Sequence, residues 1–149
     1  MKIIILFLVN ITCLSFVYGQ NSVPNDKQKK ELTVLIDKYS EARENRDTVL
    51  LKNILTADID QLVSTGEWRG GIAAAVKGML RSSASTPGTR TLTVEKIRML
   101  SPTSAIVDCK YEIQNSDGSQ RKMWSTFSAV SDKGKWKISA IRNMLPSEQ

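Results

Sequence analysis

A chain of 149 residues, 41% hydrophobic and 24% charged, with 8 glycines and 4 prolines, suits one domain with a substantial core. That composition excludes collagen-like, disordered and disulfide-dense classes, and 21 Lys+Arg against 15 Asp+Glu leave a net charge of +6. There is no histidine, so an imidazole base, a Ser/His or Cys/His nucleophile pair and a His-ligated metal site are all ruled out.

The chain begins with Met1-Lys2 and a mostly apolar run from Ile3 to Val17, followed by Val17-Tyr18-Gly19 before Gln20. This reads as a signal peptide, residues 1–19, cleaved after Gly19. A membrane anchor is the competing reading, but the run is short against the ~20 apolar residues a bilayer requires. Asn10-Ile11-Thr12 ahead of Cys13 is a poor match to a lipidation site. A secreted or periplasmic protein with no stable membrane insertion is therefore expected. Removal of Met1–Gly19 leaves 130 residues and a charge of +5, since Lys2 is the one charge lost. Cys109 is then the only cysteine, so the domain holds itself by its core without an internal disulfide.

Residues 20–25 form a polar leader. From about Asp26 to Arg46, Leu32, Leu35, Ile36, Tyr39 and Ala42 recur at helical spacing. Asp47 is placed to cap a short second helix carrying Val49, Leu50, Ile54 and Leu55. Asp60–Ser64 predicts a short strand, and Ile72–Ser82 a third helix entered through Gly70-Gly71. Ser83–Thr89 predicts a loop. Period-two alternation follows in Thr91–Leu100, Ser104–Gln114, Gln120–Val130 and Lys135–Asn143. Turn signals separate them at Asn115-Ser116-Asp117-Gly118 and Asp132-Lys133-Gly134. The clearest strand puts Ala105, Val107, Cys109, Tyr111 and Ile113 on one face, and that face should meet the helices. Three helices and then an antiparallel meander is an α+β layout.

Four stretches carry a family resemblance: Ala57–Asp60 with Ser64–Gly70, Val94–Pro102 with Ala105–Val107, Gly134–Ile138, and Ala140–Asn143. Their order and spacing resemble the SnoaL-like domain of the nuclear transport factor 2-like superfamily, in particular its SgcJ/EcaC branch. The match spans roughly residues 30–146 and implies a cone-shaped α+β fold over residues 26–146, with three helices packed in a strongly curved sheet. A homodimer through the outer sheet face is implied as well. That superfamily holds isomerases, dehydratases, cyclases, binding modules and dimerisation domains, so the pocket has to decide function. Several relatives carry a histidine near the end, where this chain has Arg142.

Asp60 is the candidate acid/base, because a carboxylate in an apolar cone would be pushed towards neutrality. Its competing reading is a solvated strand-end aspartate. Tyr39, Trp68, Tyr111, Trp124, Arg142 and Asn143 are the ligand-binding candidates. Arg142 could pair with an acidic ligand group or with Asp60, and Trp136 reads as core. The sequence offers no cofactor motif and no metal-ligand cluster. Scattered lysines without an interleaved aromatic ladder point away from nucleic acid. Three functions follow, in this order: a secreted domain binding a small apolar or acidic/carbonyl ligand in the cone, an isomerase/dehydratase/cyclase-type enzyme using Asp60 with a tyrosine, and a non-catalytic dimerisation module.

Overall fold

The computed structural model describes residues 23–85 and 88–146; the signal-peptide reading of residues 1–19 falls outside them. Helix α1 (Asp26–Glu44) starts from a capping box: Asn25 Oδ1 accepts from the Gln28 amide at 2.9 Å, and Gln28 Oε1 accepts from the Asn25 amide at 3.0 Å. Its apolar stripe is the predicted one, with Leu32, Leu35, Ile36, Tyr39 and Ala42 buried. Helix α2 (Thr48–Ile54) is capped by Asp47, whose Oδ1 accepts from the amides of Val49 and Leu50 at 2.9 Å.

Strand β1 (Leu55–Leu62) begins five residues earlier than the predicted strand and directly abuts α2. After β2 (Trp68–Gly70), α3 runs over Gly71–Ser85, longer than expected, and leaves almost nothing of the predicted loop. The meander is β3 (Gly88–Ser101), β4 (Ser104–Asn115), β5 (Gln120–Asp132) and β6 (Lys135–Met144). The six strands order as β2-β1-β6-β5-β4-β3. Every pairing is antiparallel except β1 with β6, so the last strand is inserted beside the first.

Register shifts between Val94 and Lys96 on β3, and at Ser128/Ala129 between β5 and β6, mark bulges. A bulge bends a strand and sharpens its twist. Long bulged strands therefore curl around the helices and give the α+β cone. On β4 the face bearing Ala105, Val107, Cys109, Tyr111 and Ile113 is buried against the helices, while Asp108, Lys110 and Glu112 face away. The main core joins Leu32, Ile36 and Tyr39 of α1 to Val107, Phe127, Ile138 and Ile141 of the sheet. A second, smaller cluster of Tyr111, Ile113 and Met123, with Leu92 against it, lies further along the same face.

Candidate functional site

The inner face of the sheet carries a polar layer that unites α1, β1, α3, β5 and β6. Alternation from Ile59 places Gln61 inward, and Gln61 Nε2 donates to Tyr39 Oη at 3.3 Å. Arg43, one helical turn beyond Tyr39, donates through Nη1 to the same hydroxyl at 3.2 Å and through Nη2 to Ser82 Oγ at 3.0 Å. Its guanidinium lies 5.7 Å from the Tyr39 ring centroid. Ser125 Oγ donates to Asn143 Oδ1 at 2.6 Å across the β5–β6 pair. Tyr39 and Tyr111 are 4% and 6% exposed, so the space around this layer is narrow.

Three arginines gather at the C-terminal end of α3, where unpaired carbonyls carry the negative end of the helix dipole. Arg46 donates to Ser83 O at 3.3 Å and Arg90 to Ser82 O at 3.2 Å. Arg43 differs from both in meeting only side-chain hydroxyls. Its Nε and Ser83 Oγ are buried atoms without a hydrogen-bond partner. Among the described residues it forms no ion pair, since the groups acting on it are Tyr39 and Tyr111. Burial draws its pKa down, contact with the two tyrosines outweighs that, and the net displacement is upward. The group is a part-buried permanent cation that no carboxylate pairs with among the described residues.

Asp60, Arg142, Trp68 and Trp124 are not in the cone. Asp60 is flanked by the buried Ile59 and Gln61, so it projects from the outer face. There Arg142 grips it bidentately, Nη2 to Oδ2 at 2.9 Å and Nη1 to Oδ1 at 3.1 Å. The same guanidinium lies 4.8 Å from the Trp68 ring centroid, and Trp68 is 60% exposed. Both carboxylate oxygens of Asp60 are therefore occupied, and the candidates Trp68 and Arg142 do not share a pocket with Tyr111. The physical reason is parity: Arg142 pairs with Thr126 and Asn143 with Ser125, so adjacent residues of β6 serve opposite faces. Trp124, 40% exposed, sits on the outer face with Met144 over a shallow hollow of about 440 Å³ beside Asp108 and Thr126. Trp136 is half-buried rather than core, its indole N–H donating to Glu31 Oε2 at 3.2 Å.

Arg43, Gln61, Ser82, Ser83 and Ser125 were not legible as site residues from composition or motifs. For Arg43 a signal did exist: it stands seven residues after Ile36 and four after Tyr39, on the apolar stripe of α1. Among the described residues no group of His, Cys, Asp and Glu is arranged to hold a metal, and no helix is long and apolar enough to cross a membrane.

Cys109 lies between Val107 and Tyr111 with no exposed surface, and burial foremost, with the charge of Asp108 adding, pushes its thiol up to about 12. The native protein should resist iodoacetamide at mildly alkaline pH and react once unfolded. The unfolded thiol ionises from about 9, the ordinary value, while the folded one stays protonated to about 12. Stability should therefore fall across that window as pH rises, because the unfolded state releases the proton first. A Cys109→Ser variant with an identical alkaline stability profile would contradict this.

No family model and no curated protein matches the chain. Solved structures do match, over 78% to 86% of it. A nuclear transport factor 2-like (NTF2-like) protein of unknown function from Shewanella oneidensis is 16% identical, with 78% of this chain and 98% of that one covered at TM-score 0.67. One from Pseudomonas putida is 14% identical, covering 84% and 91% at TM-score 0.70. A putative calcium/calmodulin dependent protein kinase II association domain from Xanthomonas campestris is 17% identical, covering 86% and 94% at TM-score 0.69. The protein has the NTF2-like cone fold, as the resemblance implied.

Proposed function

We propose that the protein is an exported, non-catalytic binding module whose cone takes a small acid, with Arg43 and Tyr111 meeting its carboxylate. One observation carries the reading: Arg43 is a part-buried cation with a buried, unpartnered Nε and no carboxylate partner among the described residues. Burying a charge costs free energy unless something pairs with it, and a carboxylate matches the guanidinium fork. Tyr39, Gln61 and Ser83 add hydroxyl and amide groups, and Met123, Ile113 and Leu92 offer an apolar wall. The near-complete burial of both tyrosines restricts the guest to a short chain. The enzyme reading loses support because Asp60 and the two tyrosines lie on opposite faces of the sheet.

Calorimetric titration of short aliphatic carboxylates against the matching alcohols tests this. The acids should bind and the alcohols should not, and Tyr111→Phe should weaken the acids by about 1 kcal/mol with little change in stability, the scale of one hydrogen bond. Equal binding of acid and alcohol, or none of either, would refute it. Export rests on the Met1–Gly19 reading, and N-terminal sequencing of the exported form should give Gln20.

A second reading concerns assembly. Trp68, Trp124 and Met144 are large apolar side chains exposed on the outer sheet face, which a solvated face does not require. This supports a homodimer through that face. Sedimentation should show a dimer at tens of micromolar, the range expected of a modest interface, and Trp124→Glu should return it to monomer.

A further inference from the structure

A groove of about 1000 Å³ lies outside the cone, between α1, α2 and the turn joining β5 to β6. Lys27, Lys30 and Lys38 line it from α1, and Lys135 and Lys137 from β6. Its one lining carboxylate, Glu31, is already engaged by the Trp136 indole at 3.2 Å and by Lys27 at 3.9 Å. Lys137 lies 3.8 Å from Asp132, whereas Lys30, Lys38 and Lys135 have no ion pair among the described residues. The floor is apolar, built from Val34, Leu50, Ile54 and Trp136, and Val34 is 40% exposed. The basic rim over an apolar bed runs from Lys27 to Lys38, ~17 Å at the helical rise.

We propose that this groove binds a single-chain amphiphilic anion, its hydrocarbon chain on Val34, Leu50 and Trp136 and its carboxylate, sulfate or phosphate head among Lys30, Lys38 and Lys135. Charge complementarity fixes the head. Lysine ammonium groups are mobile point charges that accept any such anion without demanding a planar fork. The walls fix the body. One of them is α1, whose backbone groups from Lys30 to Lys38 are satisfied within the helix, and Asn53 is the only neutral polar side chain among the lining residues. An extended peptide laid there would leave its N–H and C=O groups without partners. A hydrocarbon chain has none to satisfy, and it gains from covering Val34 and Trp136. The site is independent of the cone reading.

The test uses the full mature chain with Trp68→Phe and Trp124→Phe, which makes Trp136 the only tryptophan. Monomeric bromododecanoate should quench its fluorescence saturably, because a bromine atom quenches on contact. Bromododecanol should bind about tenfold or more weakly, and so should the acid to Lys30→Glu/Lys38→Glu/Lys135→Glu, a difference of about 1.4 kcal/mol. Arg43→Leu should leave this quenching unchanged even though it abolishes binding in the cone. Vesicles of phosphatidylcholine with about one-third phosphatidylglycerol distinguish a free amphiphile from a membrane surface. Quenching by the monomeric acid supports the groove whether or not vesicles also bind. Vesicle binding without such quenching overturns it, as does equal quenching by acid and alcohol or indifference to the three reversals.

Discussion

Phe127→Ala should lower the free energy of unfolding by about 3–5 kcal/mol, the cost of emptying a well-packed aromatic site. Phe127 has no exposed surface and sits at the centre of β5, opposite Val107 on β4 and Ile141 on β6. Its ring meets Tyr39 of α1 edge-on, with centroids 5.2 Å apart and planes at 73°. It therefore ties the curved sheet to the helix that fills it. Tyr39 in turn accepts hydrogen bonds from Arg43 and Gln61, so the cavity would also loosen the polar layer. Since domains of this size are stable by only ~5–15 kcal/mol, the variant should lose a large share of its margin. Urea denaturation decides it, and a loss below about 1 kcal/mol, the scale of a surface change, would contradict a central role for this residue.

The meander was legible because period two leaves no ambiguity where one face is uniformly apolar. Ala105 through Ile113 set the phase of β4, and the buried pattern follows it residue for residue. The first strand offered no such anchor. Starting it at Asp60 hid Leu55 and Ile59, the two apolar residues that fix which way Asp60 and Gln61 point. A strand read one step out of phase exchanges its faces, which is why Asp60 was assigned to the cone and Gln61 was overlooked. The same ambiguity separates Arg142 from Asn143. Pairing of β1 with β6 joins residues about eighty positions apart, beyond the reach of any local pattern. The cone itself was read from the order of elements, whereas the site depends on parity at two strands and on one charged residue in an apolar stripe.

That residue gives the second large effect. Arg43→Leu should abolish carboxylate binding, a loss of about 1.5–3 kcal/mol for the charged hydrogen bonds alone, or ten- to hundredfold. Without ligand its stability should stay level or rise, because leucine removes a partly desolvated charge whose Nε has no partner. Arg43→Lys should not restore binding, since an ammonium keeps the charge but loses the fork that engages both carboxylate oxygens. The opposite pattern has a clear meaning. If Arg43 serves only the fold, tying α1 to α3 through Ser82 and bracing Tyr39 within α1, removing those bonds would cost ~1 kcal/mol apiece, and stability would fall while no ligand was lost. Arg46 and Arg90 already cap the last carbonyls of α3 through Ser83 and Ser82, so the helix end does not depend on a third arginine. A residue whose removal stabilises the fold and empties its pocket is one retained for binding. Calorimetry and urea denaturation on the same two variants separate the outcomes.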